Sequence, residues 1–154
     1  MDHTETAREI LDTMLGYLGF VTQIEIETGS GPDATLQVAT GEPKPLIGHR
    51  GERLDDIQYL VNRILQCRDS KAPRVRVDVD NYRATQEFRM IEDAERAAER
   101  ALAAGKPMKL EPMNSYHRRI IHNHFKDHPE VKTWSPKDSA RVKRISIIPK
   151  DSGS

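Results

Sequence analysis

The apolar residues of this chain never run together for more than a few positions, as in Leu46-Ile47 and Ile147-Ile148, and this limits the fold more than any single motif does. A helix that crosses a bilayer needs about 20 apolar residues in succession. No segment here offers that, and the chain reads as soluble. Aromatic residues are 5% of the 154 and charged residues 31%. A core must therefore be assembled from thin aliphatic faces, which suits two small packed units better than one thick one. The start, Met1-Asp2-His3-Thr4-Glu5, is polar and acidic, unlike a secretory signal. Cys67 is the only cysteine, which excludes an intramolecular disulfide and a cysteine-based zinc finger. A reducing cytoplasm is the expected compartment.

The formal net charge of zero hides an asymmetry. Residues 1–43 hold one basic residue, Arg8, against eight acidic ones; residues 44–106 hold 13 against 11, and residues 107–154 hold 10 against five. The last block also carries four of the six histidines. Such a distribution suits a polyanion-binding face on a chain that is neutral as a whole, although a basic block of this size also serves as an ordinary solvated surface.

Hydrophobic spacing divides the chain into elements. Ala7, Ile10, Leu11, Met14, Leu15 and Leu18 mark one face of a first helix, with Thr6 and Glu9 as a capping box and Gly19 as its stop. Phe20 to Glu27 alternates as a half-buried strand, and Thr35 to Ala39 returns from it after the turn Gly29-Ser30-Gly31-Pro32-Asp33; Ile24, Ile26, Leu36 and Val38 are expected in the core. Pro43 and Pro45 allow only a short helix before Gly48. Leu54, Ile57, Leu60, Val61, Ile64 and Leu65 keep helical spacing to about Gln66, and Arg74 to Asp80 alternates as a third strand. The first unit is thus α-β-β-α-α-β. Tyr82 to Ala104 reads as a long Ala-rich helix able to bridge two units, stopped by Gly105-Lys106-Pro107. After an extended Met108 to Met113, Asn114 is a plausible N-cap for a helix running to about His128. Strands at Val131 to Trp134 and Lys143 to Ile148 follow, and the tail from Lys150 reads as disordered.

Two motifs carry chemistry. Gly48-His49-Arg50-Gly51 separates the short helix from the long one. Glycines there let a phosphate chain approach the backbone, while the next helix aims its unpaired N–H groups at the same place. His49, Arg50 and, one turn on, Arg53 add donors and positive charge. On its own a Gly-x-x-Gly corner is common and usually structural. The second motif is Arg118 and His122, four apart and so adjacent on one helix face, with Lys126 a turn beyond. Cationic donors fixed on a rigid element can reach successive phosphates. A bare Arg-x-x-x-His is otherwise just a solvated face.

The setting of both motifs brings in a family. The element order is that of a type II KH domain, whose Gly-x-x-Gly loop clamps about four nucleotides of a single strand. The run from Leu46 to Asn62, with Asp80-Asn81-Tyr82-Arg83, resembles the Jag (SpoIIIJ-associated, KhpB) family of bacterial RNA-binding proteins. Met113 to His122 resembles the R-three-H domain, which follows the KH unit in that family, and Arg144 to Pro149 is similar to its closing strand. The resemblance spans about residues 5–150. It implies an α/β (α+β) chain: a type II KH domain over 1–80, a linking helix and small R-three-H domain with a short antiparallel sheet over 81–150, and a disordered tail at 151–154. It also implies contact with the RNA backbone through Gly48, His49, Arg50 and Gly51. Where the family often has Lys or Arg, His49 would make one contact pH-sensitive. Many members carry an additional N-terminal domain and linker that these residues lack, so the chain reads either as a short form or as a truncated one.

The expected function is therefore non-catalytic binding of single-stranded RNA, with single-stranded DNA as a related ligand, through Gly48, His49, Arg50, Gly51, Arg53, Arg118, His122 and Lys126. The resemblance further implies a post-transcriptional role affecting envelope synthesis and division, with a small KH protein as partner. One alternative is an adaptor whose basic face meets an acidic protein or a membrane insertase; another is a His-dependent ribonuclease. No cofactor or metal is expected. His117 and His124 lie two helical turns apart, about 10 Å, too far to share an ion. His124 and His128 could pair, with no obvious carboxylate near them in sequence. Asp55-Asp56 reads as favourable charge at a helix start. Tyr59, Tyr116 and Trp134 could stack on bases, but the core is the favoured place for them. Cys67 reads as an inert packing residue.

Overall fold

The computed structural model describes residues 2–29 and 33–150. Most of the expected turn at 29–33, residues 30–32, and the expected tail at 151–154 lie outside the described residues. The chain forms two compact units, the first ending at Arg83 and the second beginning at Ala84.

In the first unit, helix α1 spans His3–Tyr17 and buries Ala7, Ile10, Leu11 and Leu15. The expected capping box is not its start. Asp2 is the cap instead, its carboxylate accepting the N–H groups of Thr4 at 3.0 Å and Glu5 at 3.3 Å, because the helix begins before Thr6 and leaves those amides to be satisfied. Strand β1 (Thr22–Glu27) pairs antiparallel with β2 (Thr35–Thr40), and β2 pairs parallel with β3 (Arg76–Val79), giving the order β1-β2-β3. Leu36 and Val38 are buried, but Ile26 on the outer strand is exposed, contrary to its expected core place. The helices α2 (Pro43–Ile47) and α3 (Glu52–Arg68) are joined by one 3₁₀ turn at His49–Gly51.

Helix α3 buries Leu54, Val61 and Leu65, whereas Leu60 and Ile64 are exposed. The apolar stripe expected from spacing was too wide, because a second face of the helix is used for β3. That strand is the last of its sheet, and its outward backbone groups are satisfied by side chains. Asn62 accepts from the Val75 N–H and donates to the Val75 carbonyl, both at 2.8 Å; Gln58 accepts from Val77 N–H at 2.9 Å, and Arg83 Nε donates to the Val77 carbonyl at 2.9 Å. Cys67, at the end of the helix, is exposed and not a packing residue.

Helix α4 (Tyr82–Ala104) is more than the bridge its charge suggests. Ala94, Ala97 and Ala98 are core residues of the second unit, with Leu110, Ile121, Phe125, Val131, Ile145 and Ile147. Strand β4 (Met108–Lys109), helix α5 (Ser115–Phe125), β5 (Val131–Trp134) and β6 (Ser146–Pro149) complete the unit, with antiparallel sheet order β4-β6-β5. As expected, Asn114 caps α5, accepting the His117 N–H at 2.9 Å. The helix stops at Phe125, short of His128, since the His128 Nδ1 instead accepts the N–H groups of Glu130 and Val131 at 3.0 and 3.1 Å. Strand β6 starts at Ser146, three residues later than expected, although Lys143 makes an isolated bridge with Met113. Lys150 is tied down, its N–H donating to the Glu130 carbonyl at 2.8 Å.

Candidate nucleic-acid interface

The turn between α2 and α3 needs its two glycines for different reasons. Gly48 has φ +71 and ψ −169, a backbone region held almost solely by glycine. A Cβ there would also lie 2.8 Å from Cγ of Arg53. Gly51 has φ +82, and a Cβ on it would lie 3.0 Å from the Tyr82 ring. The Arg53 stem therefore closes one side of the turn and Tyr82 the other. Arg53 Nη1 donates to the Pro45 carbonyl at 3.0 Å, tying the first turn of α3 to α2, so this arginine is a strut of the loop as well as a surface cation.

Between the glycines, His49 and Arg50 are exposed, and Arg50 itself has a left-handed φ of +55. Gly51 is the N-cap of α3 and offers no side-chain cap. The first amides of α3 thus sit beside an exposed backbone loop, at the positive end of a 17-residue helix.

A polar cluster surrounds the turn from β3 into α4 that carries Tyr82. Asp80 and Asn81 both have positive φ, at +50 and +57, which short polar side chains tolerate better than most and which turn the chain sharply from β3 into α4. The buried Asp78 accepts the N–H groups of Val79 at 2.9 Å and Arg83 at 3.2 Å, and Gln37 Nε2 at 3.1 Å. Arg83 also donates to Asp55 at 2.8 Å and to Gln58 at 3.2 Å. Asp55, expected only as a helix-start charge, is thus the partner of Arg83. Sequence spacing gave no sign of these long-range bonds or of the two side chains that wall the turn.

In the second unit Arg118, His122 and Lys126 do follow one another along α5, but they are not alike. Arg118 is half-buried, with Nη1 donating to the Met113 carbonyl at 2.9 Å. His122 is half-buried against β5 and the residue after it, with Nδ1 2.6 Å from the Thr133 hydroxyl and Nε2 3.3 Å from the Ser135 hydroxyl. Burial first, and then the charge of Arg118, push the His122 imidazole below the usual histidine range. At neutral pH its ring is uncharged, unlike the cationic donor expected from the stripe. Lys126 is exposed at the helix end.

His3, His124 and His128 have structural partners too. His124 Nε2 lies 2.9 Å from Glu95 of α4, the carboxylate that sequence proximity did not reveal. Among the described residues no group of three or more His, Cys, Asp or Glu is placed to hold a metal ion. Nor is any described helix long and apolar enough to cross a membrane. Tyr59, Tyr116 and Trp134 are exposed at 67%, 53% and 53%, against the core places favoured for them.

With this geometry in view, residues 89–147 match the family model of the R3H domain. The chain is 30% identical to RNA-binding protein KhpB of Clostridium symbiosum over 132 residues, covering 85% of this chain and 60% of that protein. It belongs to the KhpB (Jag) family. KhpB of Lactiplantibacillus plantarum is 30% identical over 148 residues, 93% of this chain and 46% of that protein; the Bacillus subtilis KhpB is 33% identical over 99 residues, 62% and 48% respectively. The chain thus spans about half the length of these KhpB relatives, between 46% and 60%.

Proposed function

We propose that this KhpB-family chain is a non-catalytic protein that binds single-stranded RNA, with a type II KH domain as its first unit and the R3H unit as its second. The observation that carries the proposal is the turn at Gly48–Gly51: His49 and Arg50 stand exposed at its middle, while Gly48 packs on Arg53 and the buried Gly51 on Tyr82, against the uncapped start of α3. An RNA backbone can approach the exposed middle of this loop, where its phosphates meet backbone N–H groups at the start of α3. His49 and Arg50 flank the strand. In the R3H unit Arg118 supplies the charge, and His122 orders the hydroxyls of Thr133 and Ser135 while remaining neutral. The relatives' names, RNA-binding protein KhpB, support the same reading. Two modest sites on one chain gain avidity when they engage one strand. A cytoplasmic setting, and a small KH protein as partner, fit this role.

Fluorescence anisotropy with a labelled single-stranded RNA pool across a salt series tests it. We expect log affinity to fall with log salt by about 0.7 for each phosphate contact. The double substitution His49→Asp, Arg50→Asp and, separately, Arg118→Ala are each expected to weaken binding. Absence of binding at low salt, or equal affinity with both sites altered, overturns the proposal in favour of a protein-binding adaptor.

A further inference from the structure

The sheet of the R3H unit has one face in the core and a second on which Lys109, Lys132 and Trp134 are exposed, Ile148 is half-buried and Ser146 is buried. Val131 and Ile147 point into the core, Met108 packs against it, and Thr133 meets His122 of α5. Side chains alternate along a strand, so Lys132 and Trp134 of β5, Ser146 and Ile148 of β6, and Lys109 of β4 occupy the opposite face. The register is specific. Lys109 pairs with Ser146 and Ser146 with Trp134, setting lysine, serine and tryptophan in one row across three strands; Lys132 pairs with Ile148 in the next row. Ser146, in the middle of the first row, is buried, while the lysine and tryptophan at its ends are exposed.

Trp134 is 53% exposed; Lys132 is exposed two residues before it on the same strand, and Lys109 is exposed two strands away. The three strands carry no Asp or Glu to neutralise the lysines. A flat ring with one cation across the sheet and another along its own strand suits a single nucleic-acid strand, whose bases offer a stacking face and whose phosphates alternate with them. An apolar protein partner would gain little from the lysines, and an acidic one would gain little from the ring.

We infer that this outer sheet face is a base-stacking platform for RNA, on which one base lies against Trp134 while Lys132, along the strand, and Lys109, across the sheet, hold nearby phosphates. β5 is an edge strand, with His122 and Thr133 on its inner side and Trp134 on its outer side. A strand that passes Arg118 and His122 can turn round that edge and continue over the outer face. The inference rests on the RNA-binding reading and adds a contact surface to it.

Trp134 is the only tryptophan of the chain, so its emission reports this face without a label. The experiment titrates the full chain with the labelled RNA, following anisotropy and tryptophan emission together. Emission is expected to fall in step with the anisotropy rise. Trp134→Ala is expected to weaken binding about tenfold, in the range for loss of one base stacked on one ring, and Trp134→Phe to restore most of it. Lys109→Ala with Lys132→Ala should reduce the salt slope by about 0.7 for each lysine. If anisotropy rises while emission stays constant and Trp134→Ala binds as tightly as the parent, the platform is overturned and RNA binding elsewhere stands. If anisotropy does not rise at low salt, both readings fall.

Discussion

At the scale of single residues, His122 shows how an apparent ligand can be turned inward. Both ring nitrogens lie near hydroxyls of the same unit, and burial and Arg118 favour the neutral ring. Its folded pKa is therefore depressed relative to the unfolded chain. Between the two values the unfolded state binds more protons, so stability rises with pH there and is lost as pH falls from about 6.5 through the folded value. Above that window His122 contributes no pH dependence. An NMR titration should place the His122 ring midpoint below 6.5, and the acid-side loss of thermal stability should be smaller in His122→Gln. A midpoint above the usual range would mean that the ring is a buried cation, contrary to the contacts seen. Gly48 and Gly51 are the contrasting case, since the sharp turn they make was visible from residue type and setting. The sequence did not show what fills the space beside them, because Arg53 and Tyr82 reach the turn through the fold.

At the scale of elements, β3 is the clearest example of side chains completing a sheet. Its outer edge is closed by Asn62, Gln58 and Arg83, so the strand needs no further neighbour. Asn62→Ala would strip the Val75 N–H and carbonyl of their partners in a half-buried place, and is expected to cost about 1–3 kcal/mol. Urea unfolding measures the loss, and amide exchange at Val75 should accelerate. A stability equal to the parent's would show that water replaces Asn62 at no cost. This edge also explains where hydrophobic spacing misled. The periodicity of α3 marked Leu60 and Ile64 for the core, but the helix turns Gln58 and Asn62 to β3, and the apolar stripe that remains buried is narrower. Elements whose pattern had one use were legible: β2, α4 and β5 lie close to where alternation and helical spacing put them. Helix ends were less so, because Asp2 and His128 decide them through bonds to backbone groups that periodicity does not register.

At the scale of the whole molecule, the chain carries two units of different chemistry, each with its own core. The division into thin aliphatic cores was foreshadowed by short apolar runs and few aromatics. The exposure of Trp134, Tyr116 and Tyr59 was not, since residue type alone favours burial and only strand register or helix face shows otherwise. RNA is proposed to be held at the Gly48–Gly51 loop, where His49 and Arg50 are exposed, and at the start of α3. Chemical-shift mapping on the ¹⁵N-labelled full chain, titrated with a short single-stranded RNA at low salt, examines it most directly. The largest shifts are expected at the amides of Gly48, His49, Arg50, Gly51 and the first turn of α3, and they should shrink as salt is added. RNA binding that leaves those amides unmoved would contradict the claim.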